Sequence, residues 1–228
     1  MGSRGNSGRY SDVDSHTTPM SDEDKEQIGF SDARYFNSSD SFTINAVLRE
    51  AADNDDDIDE VLREHVMNSF WHDESDIEKL RATIDAMDRS MSPTNKDMEV
   101  TRMADSSYLN RIMSLAGVPQ DVQDSLHNAL RGFTKFNQQD VDILKSYLTA
   151  GTVYESAFMS STYNKTLSDS AFSSRSIRID INVRKGTNVV FSPTGFESEV
   201  VIDRFRGYDI SDIKITDGGR KLLFIAST

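Results

Sequence analysis

Cysteine is absent from all 228 residues. That absence removes disulfides, thiolate metal sites and cysteine nucleophiles together. It suits a reducing cytosol, and equally a protein that passes between compartments of different redox poise. Long apolar runs are missing as well: none approaches the roughly 18 residues needed to span a bilayer. The opening MGSRGNSGRYSDVDSH has no apolar core of the kind a Sec-type leader carries. Positive charge is scarce, with 25 Lys and Arg against 38 Asp and Glu and a net charge of −13. Duplex nucleic acid is therefore disfavoured as a tight, non-specific partner, because phosphate binding needs clustered Lys and Arg. The deficit is uneven, however. Most acid lies in residues 1–99, while RSIRIDINVRK (175–185) and RFR (204–206) are locally basic and leave room for a local anion site. A glycine-rich phosphate loop is lacking, since Gly218-Gly219 reads only as a turn.

What is present divides into a helical half and a strand half. Residues 1–20 are polar and rich in Ser, Gly and Asp, and they read as a disordered tail. Residues 21–228 show no repeat and no linker, so a single domain is expected. SDEDKEQI starts a helix with Ser21 and early acids, and DSFTINAVLREAA spaces Phe42, Ile44, Val47 and Leu48 helically. DIDEVLREHVMNSFW sets Ile58, Val61, Leu62, Val66, Met67 and Phe70 on one stripe. SDIEKLRATIDAMDRSM repeats the pattern with Ile77, Leu80, Ile84 and Met87, and Ser75 with Glu78 predicts a capping box. Pro93 closes that run. EVTRMAD reads as a short strand, followed by three more helical segments down to Gly151. Beyond Gly151 the runs are short, β-branched or alternating, as in SIRIDINV. Asp217-Gly218-Gly219 is a hairpin signal before the last strand. Helices first and strands later predict an α+β fold.

Several groups of residues have the composition of a chemical site. Glu197 and Glu199, in GFESEVVI, would lie on one side of an extended chain, where like charges repel. Their ordinary reading is a pair of exposed acids at a strand end. Phe158-Met159-Ser160-Ser161-Thr162 places three hydroxyls after an apolar segment, and Arg102 interrupts the strand VTRMA. Metal readings are weaker. Asp53, Asp55, Asp57 and Glu64 fall at calcium-loop positions, but Ile58 occupies the place where the turn demands Gly. His65 and His72, beside Asp73 and Glu74, are two helical turns apart, too far for one ion unless the helix breaks. Met67, Met87 and Met113 are expected in the core.

An early-strand Arg, an aromatic-x-Ser-Ser-Thr segment and a Glu-x-Glu entering a strand occur here in that order. This order resembles mono-ADP-ribosyltransferases of the Arg–Ser–Glu class. That class includes actin-modifying binary toxins, Rho-modifying clostridial exoenzymes and phage-encoded transferases. SFTINAVLRE is similar to their helix with an Ile-Asn-x-x-Leu-Arg core, and IDAMDRSMSPTNKDMEVTR to their helix, short loop and first strand. The resemblance spans about residues 21–228. It implies N-terminal helices packed on a two-sheet β core with an NAD cleft between the sheets.

Carried over by position, the resemblance implies that Arg102 grips the NAD pyrophosphate or the neighbouring ribose. Ser160 would bond near the nicotinamide ribose and orient Glu199, with Thr162 supporting that strand. Glu199 would hold the ribose 2′-hydroxyl and stabilise positive charge as nicotinamide leaves. Glu197 would orient or deprotonate the acceptor. A Glu there implies arginine as acceptor, where Gln is associated with asparagine. Phe172 and Arg175 resemble a loop that covers NAD, Arg175 being a second phosphate contact. Departures from the pattern are Thr101 and Met103 beside Arg102, Ser160-Ser161-Thr162 for Ser-Thr-Ser, and Thr194 in place of an aromatic, with Phe196 as its substitute.

The implied reaction transfers ADP-ribose from NAD to an arginine of a host target protein, without metal and away from membranes. A phage enzyme, or an effector delivered to the host cytoplasm, fits that reading. An NAD glycohydrolase on the same fold and a non-catalytic binding module stay open on these residues alone.

Overall fold

A computed structural model of the chain describes residues 20–29, 35–36, 39–164, 174–192 and 198–228. Four helices come first: α1 (Asp22–Gly29), α2 (Asp40–Asn54), α3 (Ile58–Met67) and α4 (Asp76–Ser90). Strands β1 (Ser92–Pro93) and β2 (Met98–Ala104) precede α5 (Ser106–Leu115), α6 (Gln120–Leu130) and α7 (Gln138–Leu148). After Gly151 the chain is β: β3 (Val153–Glu155), β4 (Met159–Thr162), β5 (Ile177–Val183), β6 (Asn188–Phe191), β7 (Glu199–Ile202), β8 (Arg206–Thr216) and β9 (Lys221–Ser227). This is the expected α+β order.

Local chemistry explains the helix starts. Asp57 caps α3, its carboxylate accepting from the amides of Asp59 and Glu60. The acids of the calcium-like run therefore start a helix. Ser75 and Glu78 do not form the expected capping box. The Ser75 hydroxyl instead donates to Asp73 Oδ1 at 2.6 Å, and the Ser75 amide does so at 2.8 Å. A nearby carboxylate that takes two donors outcompetes the box for that hydroxyl.

The apolar stripe of α3 also stops short. Val61, Leu62 and Val66 are buried, but the helix ends at Met67, and both Met67 and Phe70 are exposed. Met67, the last residue of α3, falls on the side of the helix away from Val61, Leu62 and Val66, and Phe70 lies past its end, where a 3.6-residue period no longer returns side chains to the core face. Phe42 on α2 is exposed too, whereas Met87 and Met113 are buried as expected.

The described strands join in the order β1-β6-β7-β4-β2-β5-β9-β8-β3. Among the described strands only β5 and β9 run parallel. Two wings are visible in the pairing. β2 pairs with β5 from Met98↔Val183 through Ala104↔Ile177, whereas it meets β4 at the single rung Thr101↔Thr162. The two expected sheets are these wings, hydrogen-bonded through one rung. Both contribute to a common buried cluster with α5–α7, including Met159, Val200 and Ile202 from one wing and Ile179 and Phe224 from the other. Val190 and Val201, on the opposite face of β6 and β7, pack instead with α1–α4. Covering on both faces is why β7 reads as an uninterrupted Val-Val-Ile run and not as an alternating one.

Candidate active site

The single rung between the wings brings the site residues together. Thr162 lies opposite Thr101 on β2 and opposite Glu199 on β7. Period-two alternation puts Ser160 on the same face of β4 as Thr162. Arg102 is next to the rung, and its Nη1 donates to the Ser160 carbonyl at 3.1 Å. Its guanidinium also lies 5.7 Å from the Tyr108 ring centroid. Arg102 Nε is buried without a hydrogen-bond partner, and Arg102 makes no ion pair among the described residues. A buried guanidinium donor left unmet fits an oxyanion such as a phosphate.

Ser160 is held from the helical side by Tyr35. The two hydroxyls are 3.2 Å apart, and Asn45 Nδ2 donates to the Tyr35 oxygen at 2.9 Å. Tyr35 is buried, and its ring meets Phe158 edge-on at 5.6 Å. Burial pushes its phenol up to about 12; hydrogen bonds with Ser160 and Asn45 oppose that, while the charge of Glu199 adds to it. Tyr35 is therefore a neutral hydroxyl at ordinary pH. Nothing in its sequence neighbourhood marks it, because it lies outside every periodic segment. Asn45 belongs to the Ile-Asn-x-x-Leu-Arg core, which is the one signal that pointed here.

The segment leading into β4 is pinned by a buried carboxylate. Arg49 Nε and Nη2 reach Glu155 at 3.0 and 3.4 Å. The Ala157 amide donates to the same carboxylate at 3.1 Å, and Arg111 Nη1 stands 3.7 Å away. Arg111 also binds Asp53 at 2.8 Å and the Ser156 hydroxyl at 2.9 Å. Thus α2 and α5 together fix Glu155–Ala157, three residues ahead of Ser160. Tyr108 and Tyr208 are buried nearby; burial pushes Tyr108 up to about 12 and Tyr208 well above its ordinary value.

On the other side, the Thr162 hydroxyl donates to the Ser198 carbonyl at 3.3 Å, as does the Tyr163 amide. Ser198 has φ of 50°, and β7 begins only at Glu199. The chain between the two acids of Glu-x-Glu is therefore not extended, and the same-side argument does not apply across Ser198. Glu197 and Phe172 lie outside the described residues. Arg175 Nη1 donates to Asp105 Oδ2 at 3.1 Å, so its guanidinium rests on the residue that caps α5 directly after β2.

The metal readings fare differently from their spacing. α3 ends between His65 and His72, and both histidines line one cavity with Glu50 and Glu64. Among the described residues no group of three or more metal-binding side chains is placed to hold an ion. No described helix is long and apolar enough to cross a membrane.

Solved structures share this arrangement of helices and strands. An ADP-ribosyltransferase of the C3 type from Clostridium botulinum has 18% identity and a TM-score of 0.62, covering 100% of this chain and 96% of its own. The C3 exoenzyme of Clostridium limosum has 19% identity and a TM-score of 0.59, covering 91% of this chain and 85% of its own. A C3-type protein from S. aureus, solved with NAD, has 19% identity and a TM-score of 0.53, covering 92% of this chain and 96% of its own. No curated protein matches the chain. Residues 9–228 match the family described as ADP-ribosyltransferase exoenzyme, a span that contains every helix and strand described above. By that match the chain belongs to the ADP-ribosyltransferase exoenzyme family.

Proposed function

We propose that this protein transfers ADP-ribose from NAD to an arginine side chain of a target protein. The observation that carries the reading is Arg102: a guanidinium with one unmet buried donor, tied to Ser160 beside the rung Thr101↔Thr162, with Glu199 opposite Thr162 on its other side. The neighbour from S. aureus solved with NAD supports the choice of substrate. NAD, when bound, supplies an N-glycosidic bond whose cleavage releases nicotinamide and leaves positive charge on the ribose.

Arg102 holds phosphate oxygens by the donors that the protein leaves free. Ser160, fixed by Tyr35, presents its hydroxyl toward the ribose. Glu199 sets a carboxylate against the developing positive charge. Thr162 secures the backbone before Glu199 by its bond to the Ser198 carbonyl. Arg175 exchanges Asp105 for a phosphate oxygen. Glu197 attracts the incoming guanidinium and takes up the proton that the attacking nitrogen loses as its bond to the ribose carbon forms. The target is a protein of a host cell, reached by phage expression or by delivery.

Labelled NAD incubated with purified protein and a host lysate tests this. Glu199→Gln should abolish both nicotinamide release and protein labelling. Glu197→Ala should abolish labelling while retaining nicotinamide release, and the label should be sensitive to hydroxylamine. Intact NAD after prolonged incubation with folded protein would overturn the reading; cleavage without any labelled protein would make it a glycohydrolase.

A further inference from the structure

Four large apolar side chains stand in solvent at one edge of the helical half. Phe42 is 72% exposed, Met67 65%, Phe70 100% and Trp71 91%. They are grouped. Met67, Phe70 and Trp71 follow one another where α3 ends, and Thr43, next to Phe42, bonds His72, next to Trp71, at 3.2 Å. Between the two segments lies a cavity of about 370 Å³ lined by Glu50, Glu64, His65 and His72. Phe42 also shares an α2 stripe with Asn45 and Arg49, at i, i+3 and i+7. The patch therefore continues the helix face whose other members bind Tyr35 and Glu155.

Charge limits what can cover it. Residues 40–76 carry twelve acids against two arginines, of which Arg49 is committed to buried Glu155; Arg111, Arg81 and Lys79 offset Asp53, Asp59 and Asp76, and the balance stays negative. A second copy would bring like charge against like charge. An anionic membrane surface would be repelled by the same field. A basic face with apolar residues is complementary on both counts, and Trp and Phe are among the side chains that anchor protein contacts.

We infer that this edge is a docking surface for a protein partner presenting a basic, amphipathic face. The partner's apolar residues seat on Phe42, Phe70 and Trp71, and one Lys or Arg enters the cavity beside Glu64, near Glu50, which is itself bonded to His65 at 2.6 Å. The surface acts by binding and needs no NAD chemistry, so it stands apart from the transfer reading.

Trp71 is the chain's single tryptophan, so its emission reports directly on the patch. The probe is a synthetic amphipathic helix of Leu and Lys, titrated into the full chain at physiological salt, with a Leu/Glu helix as counterpart. A saturable blue shift with the Leu/Lys helix alone is expected. Phe42→Ser with Phe70→Ser, which leaves charge unchanged, should weaken it about tenfold. Glu50→Gln with Glu64→Gln should weaken it by a similar factor. Circular dichroism shows that each variant is folded, and nicotinamide release should be unchanged in the Phe variant. Equal binding of the Leu/Glu helix, or no loss in either variant, would overturn the inference. A blue shift produced by phosphatidylcholine or phosphatidylserine vesicles would assign the patch to lipid. A shift that grows with protein concentration alone would assign it to a second copy.

Discussion

The Tyr35 hydroxyl stands 3.2 Å from the Ser160 hydroxyl and accepts from Asn45 Nδ2 at 2.9 Å, so a helix-side phenol joins α2 to the strand that carries the candidate serine. Tyr35→Phe keeps the ring packing against Phe158 and removes only that link. It leaves Asn45 and Ser160 with unmet groups in a mostly buried place, an effect of about 1–3 kcal/mol on stability. Thermal unfolding should register this as a drop of about 2–4 °C per kcal/mol. NAD turnover should fall along with it. Unchanged turnover would show that Ser160 needs no support from the helical side.

Alkaline pH offers a second check. The folded phenols of Tyr35 and Tyr108 lie near 12 because burial disfavours phenolate, against an ordinary value of 10.0. Between those values the native protein keeps protons that the unfolded chain loses. Stability is therefore intact below about pH 10 and declines from there toward pH 12. Denaturant titrations across that window should show a steady fall in midpoint. Phenolate absorbance from these residues should appear only together with unfolding, and Tyr35→Phe should make the decline shallower.

Glu155 predicts a contrast between buried and exposed ion pairs. Its side chain is 2% exposed and answers to Arg49 and Arg111. Glu155→Ala leaves the half-buried Arg49 without a counter-charge and the Ala157 amide without its acceptor, while Arg111 keeps Asp53; the expected cost is about 3 kcal/mol. Asp22→Ala, which removes only the exposed Lys25 pair, should cost less than about 1 kcal/mol. Chemical denaturation of both variants decides it, and equal effects would dismiss the role of Glu155 as a brace for β4.

Asp105 tests the position of Arg175. Burial works against its ionised form, but hydrogen bonds from Ser107 and Tyr108 and the charge of Arg175 hold the carboxyl below its usual range. That contribution to stability is present above the ordinary value of 3.8 and is lost as pH falls through the lower folded value. Asp105→Asn keeps a helix cap and releases Arg175. The acid side of the stability profile should flatten. If Arg175 serves a phosphate, the KM for NAD should fall roughly two- to fivefold, the range expected for freeing an exposed pair worth under about 1 kcal/mol. A rise in KM would mean that the pair itself holds the site in shape.

Much of this was legible in residue order. The strict alternation of SIRIDINV is β5, and the helical half and strand half divide at Gly151 as composition suggests. Arg102, Ser160, Thr162 and Glu199 are marked by the order of their motifs, which resembles that of the Arg–Ser–Glu transferases; each motif alone reads as an ordinary strand-end feature. Periodicity failed at the end of α3: Phe70 lies past the helix and Met67, its last residue, falls on the face away from the buried stripe, so both are exposed. Capping failed at Ser75, whose hydroxyl donates to Asp73 and does not accept from a first-turn backbone amide.

What residue order determined on its own was therefore the local physics: which segments alternate, which spiral, and where charged and hydroxyl side chains fall along the strands. What tertiary structure alone decided was adjacency. The rung Thr101↔Thr162, the phenol of Tyr35 on Ser160 and the carboxylate of Glu155 between two arginines all join residues far apart along the chain. Such contacts follow from how the wings and helices bury their apolar faces together, a balance summed over the whole core that no short stretch encodes.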